Sequence, residues 1–193
     1  MKNLSIAYSK INQTTKDAGL SWYTSANLFC RDVSADYGIP LDKVCGVLSA
    51  LSPGTGYDTN KKDCINLIKQ FQGNGSFKFT TYPANVRKAL SILKSNDSPI
   101  TFFSRKTGAK THSFYCNILN PFNSDTVTID RHAYLIATGD VYTNLHLNQY
   151  EAIESHYIKE ANKIGIRPLE LQAVLWVNHR IENDIQQRKD VPF

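Results

Sequence analysis

The chain has 193 residues, a net charge of +5 and 41% hydrophobic residues, which is ordinary for a globular protein of one domain. No stretch approaches the roughly 18 apolar residues of a membrane span, and the first residues lack the apolar core of a signal peptide. We therefore expect a protein of the cytosol with no membrane association. The moderately basic charge favours a polyanionic partner.

The four cysteines are scattered along the first two thirds of the chain and form no C-x-x-C pair: Cys30, Cys45, Cys64 and Cys116. This spacing fits neither a zinc site nor a disulfide framework, so we expect reduced thiols. We expect no metal and no cofactor.

Helical periodicity dominates the chain. Residues 21–36 carry apolar side chains at steps of three and four, and Gly38 with Pro40 ends the stripe. Residues 41–51 are apolar on nearly every side, which indicates a buried central helix.

A break at residues 52–56 precedes a further helix, which Asp58 or Thr59 is placed to cap and which runs to Phe71. The pattern then predicts an extended connector over 77–82 and helices over 85–94, 110–119, 128–137, 148–165 and 168–187. No repeat or linker interrupts this order. The sequence therefore predicts an all-α fold in a single domain, residues 1–193.

A lysine on a short turn and an aspartate beside a later helix distinguish residues 107–133. Thr107 and Gly108 form the predicted turn, Lys110 follows it, and Asp130 precedes the second helix beyond. A lysine held beside a carboxylate in a cleft can act as an amine nucleophile. Backbone N–H groups at a helix N-terminus form a phosphate site. The segment therefore predicts chemistry on a phosphate-bearing substrate.

Three motifs occur in a fixed order: V-L-S-A at 47–50 with Asn60 and Lys61 after a break, T-G-A-K-T at 107–111, and V-T-I-D-R-H-A at 127–133. Together they resemble the helix-hairpin-helix DNA glycosylases, the endonuclease III-like superfamily. In that superfamily they correspond to the first core helices, the second half of the hairpin, and the segment with the essential aspartate.

The chain also departs from that superfamily. Arg105 and Lys106 stand where the Pro and the first Gly of the hairpin would be. The iron–sulfur cysteines of some members are absent, since no cysteine follows Cys116. The late run W-V-N-H-R at 176–180 is similar to compact phage-type members.

The resemblance implies a helical bundle with a cleft between two lobes, into which a base is flipped from duplex DNA. Asp130 would stabilise positive charge at C1′ of the sugar or activate a water, and Lys110 would form a Schiff base with C1′. Two plainer roles stay open at this point: Asp130 as the N-cap of a helix, and Lys110 as a solvated lysine near phosphate.

The residues implied to grip a DNA phosphate lie around the hairpin turn: Gly108, Ala109, Thr111, Arg105 and Lys106. Asn85, Arg87 and Lys88 would extend the same surface. Tyr57 or Leu51, at the ends of the loop after the buried helix, would fill the hole left by the flipped base. An ordinary interhelix loop is the alternative for this segment.

His132 and Trp176 carry weaker signals. His132 follows Asp130 by two positions, so we expect a core or surface histidine rather than a partner of that aspartate. Trp176 is expected in the core, because a lone tryptophan on an apolar helix is usually buried.

The leading hypothesis is a DNA base-excision enzyme of repair, with glycosylase activity and an abasic-site lyase step at Lys110, acting as a monomer. A second hypothesis keeps the fold but replaces excision by thymine hypermodification in phage DNA, where an amine displaces pyrophosphate from a hydroxymethyl base. A third is a DNA-binding module without catalysis, and a fourth is an enzyme acting on a small molecule. The identity of the base stays open.

Overall fold

The computed structural model describes residues 1–141 and 145–183. Within these ranges the protein is helical and contains no strand, which confirms the all-α prediction. The helices are α1 (Leu4–Ser9), α2 (Gln13–Leu20), α3 (Trp22–Tyr37), α4 (Leu41–Leu51), α5 (Tyr57–Phe71), α6 (Pro83–Lys94), α7 (Arg105–Leu119), α8 (Arg131–Thr138), α9 (Leu147–Ile164) and α10 (Pro168–Glu182), with a 3₁₀ turn at Pro99–Phe102. Among the described residues, no helix combines the length and the apolar character that a bilayer crossing requires.

Two clusters of buried side chains form the core, and α10 contributes to both. The first cluster lies mainly among α3, α4, α5, α6 and α7, and the second among α1, the segment around α8, and α9. Leu169 and Ala173 of α10 belong to the first, while Leu171 and Val174 belong to the second. Because α10 lies between the two clusters, it is apolar on nearly every side.

Several predicted elements are confirmed closely. Helix α4 has the predicted bounds and is buried from Val44 to its end. Gly38 ends α3 in the left-handed conformation, with φ of 62°. Residues 77–82 connect α5 to α6 without helix or strand. Pro168 is in the first turn of α10, and the predicted end of that helix at residue 187 lies outside the described residues.

The start of α5 differs from the sequence prediction. Gly56 is its N-cap, so neither Asp58 nor Thr59 caps the helix. Asp58 instead lies in the first turn, where the helix dipole favours a carboxylate.

The starts of α7 and α8 also differ from the predictions. Helix α7 begins at Arg105, so Thr107 is helical, and only Gly108 leaves the helical conformation, with φ of −154° and ψ of 44°. Helix α8 begins at Arg131 rather than at residue 128, because Asp130 caps it from an extended backbone. Residues 127–130 are therefore not helical.

The two N-terminal helices did not follow from periodicity, because each is too short to show it. Both have side-chain caps: Asn3 accepts from the backbone N–H of Ile6, and Asn12 accepts from that of Thr15. Helix α2 approaches α10 so closely that a Cβ on Gly19 would lie 2.4 Å from the Cα of Val174.

Gly19→Ala tests this close approach. Helix propensity alone predicts that alanine stabilises α2 by about 1 kcal/mol. We expect the opposite, a loss of about 3 kcal/mol in the free energy of unfolding, because the new methyl group meets backbone atoms that cannot yield. Urea denaturation measures the difference, with the exposed Ala18→Ser in the same helix as the control. A more stable Gly19→Ala protein would contradict this packing.

Candidate functional site

Residues 127–130 form an extended segment that is buried although it belongs to no helix. Val127, Thr128, Ile129 and Asp130 are each at most 2% exposed. Buried backbone groups need hydrogen-bond partners, and a lone extended segment cannot supply its own. The question is therefore which side chains satisfy it.

Two side chains of α9, one turn apart, bind this segment. Tyr150 donates its hydroxyl to the carbonyl of Val127 (2.6 Å) and accepts from the N–H of Ile129 (3.1 Å). Glu154 Oε1 accepts from the N–H of Val127 at 2.8 Å. Helix α9 thus takes the place of a neighbouring strand.

Asp130 ends the segment and is held at both carboxylate oxygens. Its Oδ1 accepts from the N–H of Ala133 at 2.7 Å, which confirms the predicted N-cap. Its Oδ2 accepts from Nε1 of Trp176 at 3.2 Å. A carboxylate has about four lone-pair directions, so Asp130 retains the capacity to accept further hydrogen bonds.

Lys110 lies within electrostatic reach of Asp130. Burial lowers the pKa of Lys110, Asp130 raises it in opposition, and Arg131 lowers it further. A lysine whose pKa is lowered holds a larger fraction of neutral amine, which is the nucleophilic form. The two residues that the sequence singled out therefore interact electrostatically, although they line different cavities.

Two histidines extend the group of titratable side chains near Asp130. His132 is buried, and its ring centroid lies 5.2 Å from that of His179 on α10. Burial lowers the pKa of His132 to about 4, with Asp130 opposing the shift. His132 is buried, as expected. It was also expected to point away from Asp130, but both side chains lie at the start of α8 and face α10.

A small cavity of about 10 Å³ lies on one side of Asp130. Its walls come from α3, α10 and the extended segment: Trp22, Tyr23, Thr128, Asp130, Gln172, Ala173 and Trp176. Trp176 is 9% exposed, as expected for a core tryptophan, yet its indole N–H is committed to Asp130.

A larger cleft of about 360 Å³ lies on the other side of the extended segment, which contributes Ile129 to its wall. The rest of its lining includes Asn85, Lys88, Phe103, Lys106, Thr107, Gly108, Ala109, Lys110, Thr111 and Tyr150. Lys88 and Lys106 are exposed. The kink at Gly108 restarts the helix, so the amides that follow form a second helical N-terminus at the cleft wall.

The residues proposed for DNA contact fall into two groups. Gly108, Ala109, Thr111 and Lys106 all line the cleft. Arg105 does not line it, because Arg105 forms an ion pair with the buried Glu154 and lies near Glu151. The ion pair anchors the start of α7 on α9, and the phosphate contact of Arg105 stays a prediction.

The two wedge candidates are also separated. Leu51 is completely buried in the first core cluster, so it is not presented at a surface loop. Tyr57 is half-buried, and its ring centroid lies 4.8 Å from that of Trp22. This correction leaves Tyr57, beside the small cavity, as the remaining candidate.

Sequence reasoning missed the cavity walls and the clamp on the extended segment. Gln172 and Glu154 are polar residues on the buried faces of α10 and α9. A polar residue on an otherwise apolar helical face is the signal that would have found them. Tyr150 gave no such signal, since a tyrosine on an apolar face usually fills a core.

The fold and the site define an all-α protein with a basic cleft beside a buried carboxylate. Residues 1–141 and 145–183 contain no cluster of three or more His, Cys, Asp or Glu side chains that could hold a metal ion. The chain belongs to a family of unknown function, DUF7178, whose family model matches residues 1–184. No curated protein and no solved structure matches the chain.

Glu154→Gln tests the clamp on the extended segment. The neutral amide cannot form the ion pair, so the half-buried Arg105 guanidinium loses its charged partner, and we expect the free energy of unfolding to fall by about 2 kcal/mol. The control is Glu151→Gln, since Glu151 is 51% exposed and lies 3.9 Å from Arg105. Its loss should be below about 1 kcal/mol. Equal losses for the two variants would contradict the clamp.

The buried His132 predicts a pH dependence of stability. Its pKa is about 4 in the folded protein against an ordinary value of 6.5, so the unfolded chain binds more protons between these pH values. The contribution of His132 to the free energy of unfolding is therefore fully present above pH 6.5. It is lost as the pH drops towards 4, by up to about 3 kcal/mol. His179, whose pKa burial also lowers, acts in the same direction.

Urea denaturation from pH 4 to 8 measures this effect. His132→Gln should flatten the pH dependence, and the control His156→Gln, at a half-buried position, should retain it. If His132→Gln keeps the full wild-type slope, the buried histidine does not cause it.

Proposed function

We propose that this protein acts on a base in duplex DNA by the chemistry of a glycosylase, with Lys110 and Asp130 at the reacting sugar. The observation that carries the proposal is their placement: Asp130 ends the buried segment and lines an aromatic-walled cavity, while Lys110 lines the basic cleft to which Ile129 of the same segment contributes. The resemblance to helix-hairpin-helix glycosylases points the same way.

The larger cleft is suited to a DNA phosphate. Lys88 and Lys106 supply exposed positive charge, and the amides after Gly108 supply backbone donors at a helix N-terminus. Arg105 adds little, because Glu154 neutralises it. Phosphate binding is therefore expected to depend on Lys88, Lys106 and the backbone amides after Gly108.

The chemistry would occur at C1′ of a flipped nucleotide. When the bond from C1′ to the base breaks, its electron pair leaves with the base and positive charge develops on the sugar. The buried Asp130 carboxylate stabilises that charge. The neutral Lys110 amine forms the new bond to C1′ and gives up a proton. The C1′–O4′ bond then breaks, O4′ takes up a proton, and the opened sugar is a Schiff base that permits β-elimination of the 3′ phosphate.

Asp130 would activate a water instead if Lys110 only contacts phosphate, and the product would then be an abasic site without strand cleavage.

The four cysteines are free thiols, which supports action in a reducing cytosol. The proposal has the protein acting as a monomer.

A second candidate is a DNA-binding module without catalysis. The observation in its favour is the N-cap, because a carboxylate that caps α8 and accepts from Trp176 has a structural reason to be present. The experiments below separate the two candidates.

Trapping with borohydride tests the nucleophile. Wild-type protein incubated with duplex DNA containing an abasic site should form a covalent adduct on reduction, and Lys110→Ala should not. Lys106→Ala, a neighbouring lysine on the same wall, should still form the adduct at saturating protein. An adduct that persists in Lys110→Ala would remove this role from Lys110.

Asp130→Asn separates capping from catalysis. Asparagine caps helices about as well as aspartate, so the free energy of unfolding should change by less than about 1 kcal/mol. Base release should fall by 10²-fold or more, because the amide cannot stabilise positive charge. Product is measured by mass spectrometry of nucleosides, which also detects a mass-shifted base without strand loss. Unchanged product formation would contradict catalysis by Asp130.

The salt dependence of DNA binding tests the cleft. Lys88→Ala and Lys106→Ala should each lower the slope of log K against log salt concentration by about 1. Lys94→Ala is the control, since Lys94 lies on the same helix as Lys88 but away from the cleft. A lower slope in Lys94→Ala alone would mean that DNA binds outside this cleft.

A further inference from the structure

The cavity beside Asp130 has aromatic walls on two sides. The ring centroids of Trp22 and Trp176 are 6.0 Å apart with the planes at 67°, and the Tyr57 ring packs against Trp22. Tryptophan faces suit the flat faces of heterocycles, because both are polarizable and apolar.

A polar wall faces the same cavity and has a fixed orientation. The hydroxyl of Tyr23 donates to Oε1 of Gln172 at 2.8 Å. Burial raises the pKa of Tyr23, and hydrogen bonding from Thr128 and Asn117 opposes that rise. The Tyr23 proton is therefore committed to Gln172.

This network decides which end of the Gln172 amide is presented. Its oxygen is occupied by Tyr23, so the amide nitrogen, with two N–H donors, is the end left over. That nitrogen makes no hydrogen bond within residues 1–141 and 145–183, and Gln172 is 5% exposed. An amide in this state selects for a partner that accepts hydrogen bonds.

We propose that the cavity lined by Trp22, Trp176 and Gln172 is the site of a planar heterocycle, and that Gln172 selects an edge with a carbonyl oxygen over one with an amino group. This inference rests on the proposed function, and it narrows the substrate class to bases of the uracil and thymine type. An amino group at the same position leaves the Gln172 donor unpaired in a buried site, which costs about 1–3 kcal/mol.

The cavity as it stands holds about one water, so a base enters only after a wall moves. Trp22 is that wall, because it is half-buried at the start of α3 while Tyr23 and Gln172 are buried. Turning Trp22 towards the surface opens the cavity and keeps the Tyr23–Gln172 pair in place.

Intrinsic fluorescence reports on this site directly. The chain contains two tryptophans, and both line the cavity. Free uracil and free cytosine are matched probes, since they have the same ring size and differ in a carbonyl or an amino group at one position. We expect uracil to shift the tryptophan emission with an affinity about tenfold or more above that of cytosine.

Two variants assign the preference to Gln172. Gln172→Leu should bind both bases alike, because the donor is gone. Tyr23→Phe should also lose most of the preference, because the amide is then free to turn and present its oxygen. Gln13→Leu, at an exposed position on α2, should keep the wild-type preference.

Equal responses to uracil and cytosine in the wild-type protein would overturn the inference, as would a preference that survives in Tyr23→Phe. A uracil preference without base release or adduct formation supports this heterocycle site and counts against the glycosylase proposal. Base release without a uracil preference in fluorescence supports the glycosylase proposal and counts against this heterocycle site. The two proposals therefore fail separately.

Discussion

The structure depends on holding one extended segment inside an otherwise helical protein. Helices satisfy their own backbone groups, but residues 127–130 are buried and have no neighbouring strand. Tyr150 and Glu154 of α9 supply those hydrogen bonds, and Trp176 of α10 binds the carboxylate at the segment's end. The position of Asp130 is therefore set by two helices that follow it in the chain.

The same clamp connects the segment to the wall of the cleft. Glu154 uses one oxygen for Val127 and the other for Arg105 at the start of α7. Helix α7 carries Lys110 beyond its kink, so the two residues of interest share an anchor. Neutralising Arg105 also leaves the cleft's charge to Lys88 and Lys106, which are exposed and able to meet a phosphate.

Much of this fold follows from the sequence, because most helices are long enough to show their period. Helices α3, α4 and α9 were predictable for that reason, while α1 and α2 are too short. Residues 128–130 were predicted to be helical, since a short apolar run has no period of its own, and tertiary contacts decide its extended form.

Lys110 and Asp130 could be singled out from the sequence because both lie within residues 107–133. The walls of the Asp130 cavity were not, since α3 and α10 come together only in the folded chain.

A crystal structure with duplex DNA containing an abasic-site analogue tests the central claim most directly. The account predicts a phosphate against the amides that follow Gly108, with the Lys110 amine and the Asp130 carboxylate both within hydrogen-bonding distance of C1′. DNA bound on another face would contradict it. So would a sugar in the cleft that neither residue reaches.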